Sequence, residues 1–100
     1  MNTPKSIVIT GRRWFDKKYG NTYFSARAYV DGKLAAEIPL DYGYGDAYLY
    51  EIARKLEDAG YMPDRKHYNR GPREIIGLYC ERHNIALAVD VTDVNRKRDL

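Results

Sequence analysis

The stretch TYFSARAYVDGKLAAEIPL, residues 22–40, decides the fold class of this chain. Its first part, residues 22–30, alternates apolar side chains with more polar ones, and residues 33–40 repeat that alternation. A period of two predicts two half-buried β-strands, and Asp31 and Gly32 between them predict a hairpin turn. The residues predicted to face the core are Phe24, Ala26, Ala28, Val30, Leu34, Ala36, Ile38 and Leu40.

The alternation also predicts the length of that turn. A two-residue loop would pair Val30 with Lys33, which sets an inward residue opposite an outward one. A three-residue loop, residues 30–32, pairs Ala28 with Leu34 and keeps apolar residues opposite apolar ones. Because a slip of one residue would expose the core face, we predict the three-residue loop, with its glycine forming a left-handed bulge.

Two residues predict irregular strands. Ile7 and Ile9 share one face of an early strand, but the same parity would turn Arg13 inward, so Gly11 is predicted to mark a bulge that resets the alternation. Pro39 cannot donate a hydrogen bond to a ladder, which predicts that its end of the third strand lies at an edge or is frayed.

A helix is predicted to follow the hairpin. Asp46 stands at the N-cap position, and Gly60 stands where a left-handed C-cap belongs, with Tyr61 placed for the apolar contact that accompanies it. Apolar residues between these caps recur at intervals of three and four. The residues predicted to face the core are Leu49, Ile52, Ala53 and Leu56.

Three further segments complete the predicted domain. Residues 6–15 predict a first strand, residues 72–83 a second helix, and residues 85–94 a last strand. We therefore predict a single α+β domain over residues 1–95, followed by a polar, basic C-terminal tail at residues 96–100. Its architecture is an antiparallel three-stranded meander, then two helices and a fourth strand (β-β-β-α-α-β), with a single layer of helices on one sheet.

Composition limits the class of protein. The chain has 100 residues, of which 44% are hydrophobic and 31% charged, as in one ordinary globular domain. A net charge of +3 permits a nucleic-acid or an acidic protein partner without requiring either. The single cysteine, Cys80, excludes an internal disulfide and favours a reducing compartment. Residues 1–11 have no apolar run long enough for a signal peptide or membrane span, so we expect a cytoplasmic location and no membrane contact.

No motif in the chain predicts catalysis, a cofactor or a metal. GYG at residues 43–45 lacks the third glycine of a dinucleotide fingerprint and the Lys-Ser/Thr pair of a P-loop. Cys80 and His83 lie three residues apart, but two ligands do not make a zinc site, and nothing indicates an oxyanion hole for a nucleophilic cysteine. Asp90 and Asp93 are expected to be solvated. We expect a protein that is not an enzyme.

The sequence does predict a surface rich in tyrosine and basic residues. Residues 22–30 turn two tyrosines and an arginine outward, residues 42–45 display more tyrosines, and basic residues cluster at 12–18, 65–73 and 96–98. Such a surface stacks bases and holds phosphates in some proteins, forms protein interfaces in others, or becomes core where helices cover it. The predicted partner-binding residues are Tyr23, Arg27, Tyr29, Tyr42, Tyr44, Tyr48, Arg65, Lys66 and Arg70.

Two motifs carry a resemblance to known proteins. GNTYFSARAYVDGK (20–33) and DYGYGDAYLYEIARKLEDAGY (41–61) resemble a largely uncharacterised group of small phage-encoded proteins, with a GNTY strand, an NG or DG turn and a YGYG segment before a helix. The resemblance covers roughly the first 60 residues. It implies a viral origin and a location in the host cytoplasm.

The resemblance also implies a function. Small viral proteins of this kind act by occupying a surface of a host protein or protein–nucleic-acid complex, which predicts a non-enzymatic inhibitor of a host defence system such as an anti-CRISPR. The alternative is a nucleic-acid-binding protein that contacts DNA or RNA through a basic, tyrosine-rich sheet and loop surface. Self-association as a homodimer through an exposed edge strand is also open.

Overall fold

A computed structural model describes residues 4–61 and 72–100 of the chain, apart from the side chains of residues 72–75 and 78. The chain forms an α+β fold with one four-stranded sheet, which confirms the predicted class. Its elements in chain order are β1 (Ser6–Asp16), β2 (Asn21–Val30), β3 (Lys33–Tyr42), α1 (Ala47–Asp58), α2 (Pro72–Arg82), β4 (Ala86–Val94) and a short 3-10 helix (Lys97–Asp99).

The layout differs from the prediction in detail. The strands lie in the order β3-β2-β1-β4, because the chain returns after both helices to the far side of β1. β4 therefore runs parallel to β1, whereas β1, β2 and β3 are antiparallel to their neighbours. The 3-10 helix, Lys97–Asp99, adds a helical turn within the segment that was predicted as a polar tail.

The hairpin between β2 and β3 differs from the predicted one. Val30 pairs with Lys33, so the loop has two residues, and both have the positive φ of a type I′ turn: 52° at Asp31 and 81° at Gly32. The prediction of a three-residue loop is wrong. Parity is restored inside β3, where Ala35 is an extra residue between two successive pairs.

A second irregularity lies further along β3. The register shifts again between Ile38 and Asp41, in the segment that contains Pro39, whose nitrogen has no hydrogen to donate. β3 is an edge strand, as predicted from this proline. The two irregularities also explain why Leu34 and Leu40, predicted to face the core, are exposed.

β1 is regular throughout. It pairs with β2 from Ile7 to Asp16 without a break in register, so the predicted bulge at Gly11 is wrong. Gly11 is needed for a different reason. A Cβ atom at this position would lie 2.6 Å from Cδ2 of Tyr48, the second residue of α1. The aromatic ring of Tyr48 therefore packs directly on the backbone of the central strand.

Both helices cover one face of the sheet. α1 packs on β1, β2 and β3, and α2 packs on α1 and β4. β1, β2 and β4 turn alternate residues toward this layer, as a period of two requires, whereas β3 does so only between its two irregularities. The buried core consists of Ile7, Ile9, Phe24, Ala26, Ala28, Val30, Ile38, Tyr48, Leu49, Ile52, Ala53, Leu56, Ile76, Cys80 and Ile85.

The C-terminus of α1 confirms the predicted cap. Gly60 has a φ of 89°, the Tyr61 N–H donates to the Leu56 carbonyl at 2.9 Å, and the Gly60 N–H donates to the Glu57 carbonyl at 3.0 Å. This pair of bonds is the Schellman motif. At the other end Asp46 occupies the N-cap position, although its side chain makes no capping hydrogen bond.

Gly77 leads to the first stability prediction. It lies inside α2 without a positive φ, and apart from its chain neighbours and the adjacent backbone of α2, no atom of the described residues lies within 4 Å of a Cβ built there. We expect Gly77→Ala to raise the free energy of unfolding by about 0.5–1 kcal/mol, because alanine loses less backbone entropy in a helix. Gly60→Ala is the matched control and should destabilise by about 1 kcal/mol, because its φ is left-handed. Urea unfolding of both variants measures the difference; a destabilising Gly77→Ala contradicts it.

Candidate binding surface

The face of the sheet opposite the helices is built from alternate residues of all four strands, and we call it the open face. Both described helices pack on the other side, so neither α1 nor α2 covers the tyrosines of this face. Because the strands pair in register, its side chains form rows across the sheet. Its members include Val8, Thr10, Arg12, Trp14, Tyr23, Ser25, Arg27, Tyr29, Leu34, Glu37, Tyr42, Ala88, Asp90, Thr92 and Val94.

Three aromatic side chains form a row across β1, β2 and β3 at one end of the open face. The rings of Trp14 and Tyr23 stack, with centroids 5.8 Å apart and planes 27° apart. Tyr42 meets Tyr23 edge-on, with centroids 5.7 Å apart. Tyr42 is 60% exposed and Trp14 and Tyr23 are partly exposed, so the row combines mutual support with accessible ring surface. We call Trp14, Tyr23 and Tyr42 the aromatic row.

The middle of the open face is polar and carries charges of both signs. The Arg27 Nε donates to Glu37 Oε2 at 2.6 Å, and this hydrogen bond and the negative charge of Glu37 raise the pKa of Arg27. Thr10 and then Asp90 continue the same row across β1 and β4. Thr10, Arg27 and Asp90 line a cleft of about 290 Å³. Acidic groups therefore offset the basic groups at the centre of the face.

The fold brings two of the predicted basic clusters to the aromatic end of the sheet. Arg12 lies two residues before Trp14, and its NH1 donates to the Asp99 carbonyl at 2.9 Å. This bond holds the 3-10 helix, with its basic residues 96–98, beside the end of β1. Lys17 and Lys18 lie in the turn that follows β1. We call the basic residues of these segments, Arg12, Arg13, Lys17, Lys18 and residues 96–98, the basic end.

A larger cleft, of about 640 Å³, opens at the basic end on the helix side of the sheet. Arg13 lies in its wall, where Nε donates to Asp93 Oδ1 at 3.0 Å and NH1 donates to the Gly45 carbonyl at 3.2 Å. Phe15 and Tyr44 also line the cleft, and both side chains are exposed. Exposed rings therefore lie beside basic groups on both faces of the sheet, the open face and the helix side, at this end.

The structure separates the described residues among those predicted to bind a partner into three groups. Tyr23 and Tyr42 belong to the aromatic row, and Arg27 and Tyr29 follow Tyr23 along the open face of β2. Tyr44 is exposed and lines the larger cleft, and it also shares a second pocket with Tyr42 of the aromatic row. Tyr48 is buried, and the last three predicted residues, Arg65, Lys66 and Arg70, lie outside the described residues.

Tyr48 was wrongly predicted as a contact residue. Its side chain is 0% exposed and packs against Gly11. The reason is helical spacing: Tyr48, Ile52 and Leu56 are four residues apart, so they share the stripe of α1 that faces the sheet. The predicted apolar stripe did not include Tyr48, which lies one helical turn before Ile52.

Trp14 is the residue that sequence analysis missed. It belongs to the open face because β1 alternates without interruption from Val8. The presumed bulge at Gly11 concealed that alternation, since a reset of parity would have turned Trp14 toward the helices. The signal that identifies it is the regular pairing of Trp14 with Tyr23 on one side and Val94 on the other.

Cys80 offers little reactivity in the folded protein. It is buried, and burial raises the pKa of its thiol, which lowers the fraction of reactive thiolate at any given pH. The ring of the nearby His83 lies against Tyr79, with centroids 4.5 Å apart. We expect Cys80 to react with a disulfide reagent such as DTNB at least about tenfold more slowly in the folded chain than in denaturant. Equal rates in the two states contradict this prediction.

Within the described part of the chain, neither a metal-binding cluster nor a membrane-spanning helix is found. Over residues 4–61 and 72–100, no group of three histidine, cysteine or acidic side chains is arranged to hold a metal ion. Among the helices of these residues, none is long and apolar enough to cross a membrane. No known family, curated protein or solved structure matches the chain. The open face and the basic end are therefore the features of the chain that bear on its function.

Proposed function

We propose that this chain is a non-enzymatic binding protein of phage type, which acts on a host macromolecule by covering part of its surface. The target that we favour is a host protein, alone or within a protein–nucleic-acid complex, such as a component of a defence system that the chain would inhibit in the manner of an anti-CRISPR. The aromatic row is the observation that carries this proposal, because it gives the open face accessible rings that neither α1 nor α2 covers.

The chemistry of the open face favours a protein over a nucleic acid. Trp and Tyr are the residues most enriched in the energetic centres of protein interfaces, since they bring large contact areas with few rotatable bonds. The arginine in the middle of the face, Arg27, is already paired with Glu37, and Asp90 lies in the same row. A surface for phosphates needs uncompensated positive charge, which the middle of this face lacks.

The basic end supports a second candidate function, binding of single-stranded nucleic acid. Here Arg12 shares the open face with Trp14, Lys17 lines the larger cleft with the exposed ring of Phe15, and Lys18 lies over the exposed ring of Tyr19. Rings on which bases stack, flanked by side chains that hold phosphates, are the usual components of single-strand binding surfaces. The bases would stack on the rings and the backbone would follow the basic residues.

Affinity purification from lysate of the natural host distinguishes the two functions. The tagged chain is incubated with nuclease-treated and untreated lysate, and the untagged chain competes in parallel samples. We expect one host protein to be recovered with or without nuclease and to be displaced by the competitor. Recovery that depends on nucleic acid supports the second candidate instead. If no protein is displaced by the competitor in either lysate, the favoured proposal is contradicted.

A gel-shift titration tests the second candidate directly. Three phosphate contacts to a single strand predict that log K falls with log salt with a slope of about −2. A Lys17→Ala, Lys18→Ala double variant removes two contacts and should reduce that slope by about 1.4. Duplex DNA serves as the comparison, and the absence of any shift at low salt contradicts nucleic-acid binding.

A further inference from the structure

The two edges of the sheet differ in how well they are protected against association. β3 carries Pro39, Lys33 and two register irregularities, which are the features that block pairing with another strand. β4 has nine residues, ALAVDVTDV, with no proline, no lysine and no break in its register with β1. A regular, mostly apolar edge strand is a site at which a further strand can pair.

The hydrogen bonds of β4 show which of its backbone groups face outward. The Ala86 N–H donates to the Lys5 carbonyl at 3.0 Å, so Ala86 is bonded to β1. In a parallel ladder the bonded residues alternate, so the even-numbered residues of β4 face β1 and the odd-numbered residues face away. Among the described residues β4 pairs only with β1. The residues whose N–H and C=O groups point to the outer edge are Leu87, Val89, Val91 and Asp93.

We propose that this edge pairs antiparallel with β4 of a second copy of the chain, which joins two sheets into one of eight strands. A two-fold axis at Val89 sets Leu87 opposite Val91 of the second copy, so apolar residues meet on the helix side. On the open face the same register sets Asp90 opposite Ala88 of the second copy. An axis at Asp90 would instead set two carboxylates opposite each other, which is unfavourable. This inference does not depend on the proposed function.

The sequence of β4 is what favours a second copy over another partner. Leu87, Val89 and Val91 are partly buried against the core of their own chain and remain accessible at the edge. Pairing about Val89 covers these three residues with the same three residues of the second copy. A foreign strand would need apolar residues at the same alternate positions, which the second copy already supplies.

Sedimentation equilibrium over a micromolar to submillimolar range tests the dimer. We expect a reversible monomer–dimer equilibrium for the wild-type chain. Val91→Pro removes an outward N–H without taking a hydrogen from the ladder with β1, so it should leave a folded monomer. Far-ultraviolet circular dichroism and urea unfolding check that this variant is folded.

Two substitutions of opposite charge at Ala88 give a second test, which leaves the backbone hydrogen bonds unchanged. Ala88 is exposed on the open face, and the proposed register sets it opposite Asp90 of the second copy twice in each dimer. Ala88→Lys should tighten the dimer about threefold to tenfold, and Ala88→Glu should weaken it by a similar factor. A wild-type chain that is monomeric throughout, or a dimer that responds neither to Val91→Pro nor to the Ala88 pair, overturns the proposal.

Discussion

Gly11→Ala is expected to lower the free energy of unfolding by about 1–3 kcal/mol, the usual cost of adding a methyl group to a well-packed core. The added Cβ would lie 2.6, 3.0 and 3.1 Å from three atoms of the Tyr48 ring, which is 0% exposed. A buried ring cannot move without displacing its other neighbours, so the strain is not relieved by a change of rotamer. Urea unfolding followed by circular dichroism measures the loss.

Tyr48→Leu provides the control for this mechanism. It destabilises the chain by itself, but it replaces the ring that a Cβ at position 11 would meet. Gly11→Ala should therefore cost less in the Tyr48→Leu background, with a coupling free energy of about 1 kcal/mol. If the two changes are additive, the contact with Tyr48 is not the reason for the glycine.

The local parts of this fold could be predicted from sequence because their determinants are neighbours in the chain. Gly60 and Tyr61 form the α1 cap as predicted, since every partner in that motif lies within five residues. The hairpin could not be predicted as well. Its two-residue loop pairs the inward Val30 with the outward Lys33. The extra residue that restores the alternation, Ala35, lies inside the next strand.

Gly11 shows how a distant contact misleads a reading of local sequence. A glycine inside a strand predicts either a bulge or a close approach of another group. Tyr48, the group that approaches, is 37 positions further along the chain, so only the packed structure distinguishes the two explanations. A bulge at Gly11 implies that Trp14 faces the helices, whereas the regular strand places Trp14 on the open face.

The candidate site was predictable in parts but not as a unit. Alternation in β2 placed Tyr23 outward, and the turn before α1 suggested Tyr42. Their contact with each other and with Trp14 depends on the register of three strands, and β3 shifts its register twice before it reaches Tyr42. The parallel placement of β4 likewise brings residues 96–98 to the end of β1, a proximity that no local pattern encodes.

Tyr42→Ser is expected to weaken binding of the host protein recovered by affinity purification about 30-fold, as loss of a central aromatic contact costs roughly 2 kcal/mol in binding free energy. Tyr42 is the most exposed ring of the aromatic row, and Tyr23 supports it from one side. Because Tyr42 is 60% exposed, the same change should lower the free energy of unfolding by no more than about 1 kcal/mol. Titration of the purified target measures the affinity.

Tyr19→Ser is the matched control for this prediction. Tyr19 is 69% exposed and belongs to the turn between β1 and β2, where its ring lies 5.3 Å from the Lys18 ammonium. The substitution removes the same group from an equally accessible site outside the aromatic row, so the open-face proposal expects affinity to change less than about threefold. If Tyr19→Ser weakens binding and Tyr42→Ser does not, the contact surface is the turn between β1 and β2, beside the basic end, and the aromatic row is structural. Comparison of the two variants therefore shows whether the partner binds at the aromatic row or at the turn between β1 and β2.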